Sequence, residues 1–251
     1  MPRRLIIISG AGTGAESGIR TFRTDEVSGK SLWDEYDVEE VCNINSFNTG
    51  FYSKTHEFYN DRRVELAGVQ PNAFHHQVAE WYKSYPGLVK NITTNVDDLL
   101  ERSGIPSPAI LHVHGYLPEV ILQKEPGDPK KIVDIGYSRL NPEDYHWCKP
   151  NVVFFGEYPP QYAEMNRELS DLRGQDLVIV VGCSGVVIDF IYELVTYQHY
   201  GNYKIWCVNP KPSNYEVQKG EDGDIVLWKG TAVEVFENKN FIAAVKKHME
   251  G

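Results

Sequence analysis

The stretch from Ser9 to Thr24, SGAGTGAESGIRTFRT, holds the densest set of residues in the chain that could do chemistry. It follows Leu5-Ile6-Ile7-Ile8, an apolar run of the kind that forms a buried parallel strand. Gly10, Gly12 and Gly14 let a ligand approach the main chain, so consecutive N–H groups can converge on an anion such as a pyrophosphate. A strand followed by G-x-G-x-x-A, here closing at Ala15, has the form of a dinucleotide fingerprint, although glycine turns after strands also serve purely structural ends. Hydride-transferring Rossmann enzymes need an amphipathic helix starting at the glycines and an acid ending the second strand about 20 residues later. This chain instead continues Arg20-Thr21-Phe22-Arg23-Thr24-Asp25, polar with two arginines around one phenylalanine. Such a segment reads as an ordered loop over a ligand and argues against hydride transfer.

Composition bounds what can hold that loop in place. With 251 residues, 41% of them hydrophobic, the chain can bury a full core as one α/β domain or as a large domain with a smaller insertion. A formal charge of -10 argues against an extended nucleic-acid surface. No apolar stretch approaches the roughly 20 residues of a membrane span, and Met1-Pro2-Arg3-Arg4 leads into four apolar residues, too few for a signal-peptide core. A cytoplasmic location with no membrane partner is expected. Cys42, Cys148, Cys183 and Cys207 form no C-x-x-C pair and are expected to be buried, reduced thiols.

The segment from Ser31 to Asn72 is rich in aromatics and acids with short helical patterns, such as Leu32 to Tyr36 and Thr55 to Tyr59, and reads as a helical insertion. Pro71-Asn72 opens a helix running through Tyr82. Strands are expected at Leu88 to Thr93 and Ala109 to Val113, with a short helix at Asp97 to Arg102 between them. From Leu117 to Pro150 prolines, glycines and charges break the pattern, giving a loop-rich excursion with room for a short hairpin. Regular order returns with a strand at Val152 to Phe155, a helix near Gln161 to Leu172, and a strand at Leu177 to Val181 ending in Gly182-Cys183-Ser184-Gly185. A helix through Tyr200, strands at Lys204 to Val208 and near Ile225 to Trp228, and a helix from Ala232 to Met249 complete the chain. In an open parallel sheet the loops at the carboxyl ends of the strands line the ligand crevice.

Taken together, these loops resemble the sirtuins, the NAD-dependent protein deacylases, over nearly the whole chain and in the right order. Gly10 to Arg23 resembles the family's GAG loop, Thr94-Asn95-Val96-Asp97 its Q-N-I-D motif, and His114-Gly115 its H-G. Val152 to Glu157 resembles V-V-x-F-G-E, and Gly182-Cys183-Ser184 resembles G-T-S. Asn209 falls where the family has an asparagine on the adenosine side. The resemblance implies an α/β protein with a Rossmann-like parallel sheet (about 1–28, 86–116 and 151–251). It also implies a smaller module made of two insertions, helical over 29–85 and loop-rich over 117–150.

In the reaction it implies, the acyl-lysine oxygen attacks C1′ of the nicotinamide ribose, nicotinamide leaves, and the acyl group passes to ADP-ribose. A ribose hydroxyl needs a base that is neutral near pH 7, which a histidine supplies, so His114 is the expected base, with Asn95 beside it. Gly115 is expected to keep the ribose side unobstructed, and His112 to pack. The cofactor would rest on Gly10, Ala11, Gly12, Ala15, Phe22, Arg23, Asn95, Asp97, Gly182, Ser184 and Asn209, with Phe22 shielding C1′ from water. Val153, Phe154, Gly156 and Glu157 lie on the segment that in the family takes up the substrate peptide as an added strand. Tyr59 and Arg62, one turn apart, match the Y-x-x-R of relatives that prefer succinyl- and malonyl-lysine, where an arginine can bind the distal carboxylate bidentately.

There are departures too. The family's zinc cysteines are missing, since Cys148 is alone between the H-G and F-G-E motifs, so no metal is expected. Thr94 replaces a usual Gln, Gly14 a Ser, Arg20 a Pro, Leu100 a His and Asp189 a Pro. Thr94 and the lost zinc site leave open a sirtuin-like NAD hydrolase or ADP-ribosyltransferase, and beyond it a non-catalytic NAD or ADP-ribose sensor. The oligomeric state is not written in the sequence.

Overall fold

The structure, a computed structural model, describes residues 3–20 and 37–251. Six strands, β1 (Leu5–Ser9), β2 (Val89–Thr93), β3 (Ile110–His112), β7 (Leu177–Val181), β8 (Lys204–Asn209) and β9 (Val226–Lys229), form a wholly parallel sheet in the order β3-β2-β1-β7-β8-β9. Within that sheet the chain order is therefore 3-2-1-4-5-6, the doubly wound Rossmann arrangement, whose direction reverses between β1 and β7. Both faces are covered. Leu5 and Ile7 of β1 enter one core with Phe74, Trp81, Phe236 and Phe241, while Ile6 and Ile8 enter another with Met165, Phe190 and Leu194. This two-sided burial is why β1 and β7 read as unbroken apolar runs.

Short α1 (Gly12–Ala15) follows β1. Helices α2 (Val38–Val41), α3 (Ile44–Thr49) and α4 (Tyr52–Gly68) make the helical insertion. Asn72 caps α5 (Ala73–Ser84) in a reciprocal capping box with His75, so the Pro71-Asn72 start is where the structure begins the helix. After β2 comes α6 (Leu99–Arg102). The second half alternates α7 (Tyr162–Ser170), α8 (Phe190–Gly201), α9 (Asn214–Asp222), α10 (Ala232–Phe236) and α11 (Lys239–Glu250) with the strands. The helix expected over Ala232 to Met249 is broken in two, because the Asn238 side chain turns to cap α11. The sequence reading lacked α9 entirely. Its signal was Ser213-x-x-Glu216, a capping box hidden among prolines and Gly220.

The largest correction concerns the second insertion. Beyond the short hairpin for which the sequence left room, it forms a three-stranded antiparallel sheet, β4 (Gly115–Gln123), β5 (Lys131–Asp134) and β6 (Trp147–Val152), in the order β5-β4-β6. The strand expected at Val152 to Phe155 therefore lies earlier and belongs to this small sheet. Prolines 118 and 150 sit within β4 and β6, which made these segments read as loops. A third core, with Phe47, Phe58, Tyr59, Leu117, Val152 and Phe154, joins the small sheet to the helical insertion. The Leu32 to Tyr36 pattern lies outside the described residues.

Gly115 is the joint between the two sheets. Its φ is +90°, and a Cβ there would fall on the Asn151 carbonyl and within 2.9 Å of the Val152 Cα. Its bare α-carbon thus serves the close approach of β4 to β6, where Gly115 pairs with Val152. Left-handed strain and the clash together are expected to cost Gly115→Ala about 2–4 kcal/mol, read as a thermal midpoint lower by roughly 5–15 °C. An unchanged midpoint would contradict the packing.

Candidate functional site

The loops after β1, β2 and β7 meet at the reversal point of the parallel sheet, the place where open α/β sheets bind ligands. Two of them touch backbone to backbone. Gly10 N–H donates to the Val181 carbonyl (3.0 Å) and Gly12 N–H to the Gly182 carbonyl (2.9 Å). A Cβ on Gly10 would come 2.7 Å from Gly182 O, and one on Gly182, at φ +65°, would come 2.6 Å from Thr13 N. Thr13 N–H and Gly14 N–H return to the carbonyls of Gly10 and Ala11. The amides of Gly10, Gly12, Thr13 and Gly14 are therefore already used, which corrects the expectation of an anion cradle made from these N–H groups. Their main task is to let two strand-end loops interlock. Ala11 and Ser184 are exposed at the rim of this junction, and Ala15 is half-buried.

Asn95 stands beside the loop. Its Nδ2 donates to Thr13 Oγ1 (3.0 Å), and that hydroxyl donates to the Gly10 carbonyl (2.9 Å). Thr13 itself is tied from below, because Asn72 Nδ2 donates to its carbonyl (2.8 Å). Asp97 Oδ2 would lie 3.7 Å from a Cβ on Gly14, so its carboxyl flanks the same loop. Desolvation pushes the Asp97 pKa up to about 6, against a hydrogen bond from Leu99 N–H and the nearby charge of His112.

His114 follows β3 and is half-buried, with Nε2 3.5 Å from the Tyr162 hydroxyl. Burial lowers its pKa, and a hydrogen bond to the Thr94 backbone partly opposes this. The ring is thus neutral at pH 7, as a general base must be. Tyr162, on α7, has no motif around it in the sequence, and only the fold brings it to His114. On the far side of the site, Asn209 ends β8. Its Nδ2 donates to Glu216 Oε2 (3.0 Å) and its Oδ1 accepts from Lys211 N–H (3.0 Å). Glu216 is buried and also caps its own helix, so the α9 capping box orients Asn209.

The segment after β6 is pinned by its own bonds. Val153 N–H donates to the His114 carbonyl (2.9 Å), Phe154 N–H to Glu157 Oε2 (2.7 Å) and Phe155 N–H to the Cys42 carbonyl (2.7 Å). Lys149, buried, bridges to Glu157 (2.9 Å) and lies 3.9 Å over the Phe154 ring. Phe154 is core, stacked 5.5 Å from Tyr59, whereas Phe155 and Gly156 are exposed. Tyr59 is itself buried, and its hydroxyl donates to Cys42 Sγ (3.4 Å). Arg62 pairs with Glu65, which also pairs with Arg20, and donates to the Arg20 carbonyl (3.1 Å). Phe22 and Arg23 lie outside the described residues. The structure thus brings the loops around Gly10, Asn95, Asp97, His114 and Gly182 to one sheet end, while Tyr59 and Arg62 approach from the helical insertion.

The Sir2 family profile matches residues 10–189. An NAD-dependent protein deacylase of Helicobacter hepaticus is 40% identical over 210 residues, covering 75% of this chain and 77% of the relative. A Sir2 homologue solved with ADP ribose superposes with a TM-score of 0.76 at 27% identity, over 97% of this chain and 92% of that one. A Sir2 homologue in complex with NAD gives a TM-score of 0.74 at 28% identity, over 98% and 91% of the two chains.

A histidine whose folded pKa is depressed takes up its proton only below the unfolded value of 6.5. The His114 ring resonances should therefore titrate with a midpoint under 6.5 in an NMR pH series. A midpoint above 7 would remove His114 as a neutral base.

Proposed function

We propose, for a chain that belongs to the Sir2 family and is an NAD-dependent protein deacylase, that it removes acyl groups from protein lysines with His114 as base and favours acyl groups ending in a carboxylate. The observation that carries this reading is the convergence of His114, Asn95 and Asp97 with the two glycine loops at the reversal point of the sheet. A dinucleotide fits the donor set there: hydroxyl-binding amides at Asn95 and Asn209, a carboxyl at Asp97, and the exposed rim at Ala11 and Ser184. When bound, NAD supplies an electrophilic ribose carbon with nicotinamide as the leaving group.

His114 Nε2 accepts the proton of the attacking hydroxyl, its depressed pKa leaving the nitrogen free at neutral pH. Tyr162 borders that nitrogen and limits the directions from which the hydroxyl can come. Asn95, held on Thr13, presents its remaining polar atoms on a fixed plane. Exposed Phe155 and Gly156 mark the surface on which the substrate backbone would lie, with Val153, Phe154 and Glu157 bracing it from behind. Unpaired thiols at all four cysteines fit a reducing, cytoplasmic compartment.

The acyl preference is supported by the place of Arg62. Its guanidinium is held largely out of water and lies within electrostatic reach of both Asp97 at the ribose side and the Tyr59–Cys42 pair. A carboxylate entering between them would share the guanidinium with Glu65, and bidentate geometry suits that exchange. Arg62→Ala should then lower kcat/KM on succinyl- and malonyl-lysine peptides by about 30-fold or more, with a loss under about 3-fold on acetyl-lysine. Equal losses would sink the preference, and nicotinamide release independent of any peptide would replace deacylation by NAD hydrolysis.

The same reading leaves this module without zinc: a structural site takes about four ligands, and between the H-G and F-G-E motifs the sequence offers Cys148 as its one thiolate. Polar bonds tie the module instead. Arg63, fully buried, donates from Nε to the Leu117 carbonyl (2.9 Å) and from Nη1 to Asn60 Oδ1 (3.1 Å), and Asn60 bonds both backbone groups of Leu140 at 2.8 Å. Cys148 lies against Tyr52 and His56. Purified, tag-free protein should carry under about 0.1 zinc per chain and keep its thermal midpoint in a chelator. One zinc per chain would overturn this.

A further inference from the structure

Beside the site, bonded to the Asn95 main chain, lies His112 with partners that the deacylase reaction as described does not use. His112, at the end of β3, has a side chain only 10% exposed. Its Nδ1 is 3.1 Å from the Asn95 carbonyl oxygen, and its Nε2 is 2.9 Å from Glu101 Oε1 on α6. A carbonyl oxygen can only accept, so Nδ1 carries a proton. A carboxylate can also only accept, so Nε2 carries one as well. Both ring nitrogens thus face acceptors, which a neutral imidazole cannot satisfy because one of its nitrogens has no proton.

From these contacts we propose that His112 is a positioning residue: held as an imidazolium between the Asn95 carbonyl and Glu101, it fixes the Asn95–Asp97 turn and offsets the charge of Asp97. The inference rests on the reading of Asn95 and Asp97 as cofactor-binding residues. Among the described residues, the charged and titratable groups around this ring come from every neighbouring element. Asp97 and Asp98 lie on the turn before α6, Glu101 and Arg102 are on α6, Tyr116 of β4 has its ring 4.8 Å away, and Tyr137 bonds Asp98. Three carboxylates therefore face two cations, and without the His112 proton Arg102 alone would offset them. Burial by itself lowers the pKa of His112, but the Glu101 hydrogen bond and charge, with Asn95 and Asp97, raise it overall. This upward shift acts in the same direction as the two acceptors, and where the proton leaves on the alkaline side one of the two bonds must go.

The fold explains why His112 and His114 differ so sharply. They are two residues apart, yet one faces Glu101 and is stabilised as a cation, while the other faces Tyr162 and is kept neutral. One holds the turn and the other moves the proton.

The test uses the full chain with its histidines labelled for NMR. At pH 7 the His112 ring should be doubly protonated, and Glu101→Gln should lower its titration midpoint by about one unit or more. In parallel, kcat/KM for NAD should fall on the alkaline side in the wild type, with that limb moved to lower pH in Glu101→Gln. His112→Leu should cost about 10–100-fold in kcat/KM for NAD. His112→Asn, whose amide can still donate to the Asn95 carbonyl, should recover part of the loss and show no such limb. A singly protonated ring at pH 7, or an alkaline limb unmoved in Glu101→Gln, would overturn the proposal. Because the NMR result needs no turnover, it stands apart from the reading of the reaction: a wild type silent with NAD and acyl peptides would instead remove that reading.

Discussion

Everything at the site depends on the main-chain contact between the loops after β1 and β7. Gly12 N–H reaches the Gly182 carbonyl at 2.9 Å, and side chains on Gly10, Gly12 or Gly182 would each come within 3.0 Å of the opposing loop. Parallel strands β1 and β7 are in register from Leu5 with Leu177 to Ser9 with Val181, so the two loops leave the sheet at the same height. Interlocking them there sets the position of Thr13, Thr13 sets Asn95, and Asn72 holds Thr13 from the start of α5. A single backbone contact thus fixes the first members of a chain of side chains that reaches the cofactor crevice.

Electrostatics then divides the site into a neutral and a charged half. His114 is kept neutral by desolvation with little compensating charge, whereas Asp97, Asp98, Glu101, Arg102 and His112 form a mixed cluster in which each charge depends on the others. Burial raises the pKa of both Asp97 and Asp98, the Tyr137 hydroxyl donates to Asp98, and His112 lowers the pKa of Asp97. Two histidines of one strand end thus sit in different surroundings, so the pKa of each can be tuned without disturbing the other.

The small module closes the site from the other side, and its attachment is mechanical. Strand β4 leaves directly after His114, β6 returns to Val152, and Val153 N–H bonds back to the His114 carbonyl. The helical insertion is locked on through Asn43, which bridges to Phe155, and through Arg63 and Asn60, which bond β4 and Leu140. Arg63 has no carboxylate partner among the described residues, which makes burying its guanidinium costly, and burial lowers its pKa to about 10. Its backbone and amide hydrogen bonds offset that cost and define one arrangement of the helix over the sheet.

The sequence by itself determined the parallel sheet and the loops at its strand ends, because two-sided burial writes itself as apolar runs and glycines mark where they end. Through the family resemblance of its motifs it also pointed to His114, Asn95, Asp97 and Asn209, since such motifs are local. The antiparallel small sheet was hidden because prolines and charges on short, half-exposed strands look like loop chemistry. Tertiary structure alone decided what each site residue leans on: Thr13 under Asn95, Tyr162 beside His114, Glu216 under Asn209 and Glu101 against His112. It also reassigned the glycines from holding an anion to letting two loops touch. The physical reason is the same in each case: the type and spacing of residues fix which groups are available. Hydrogen-bond satisfaction and desolvation depend on neighbours that may be distant in the chain, and these set each group's orientation and charge.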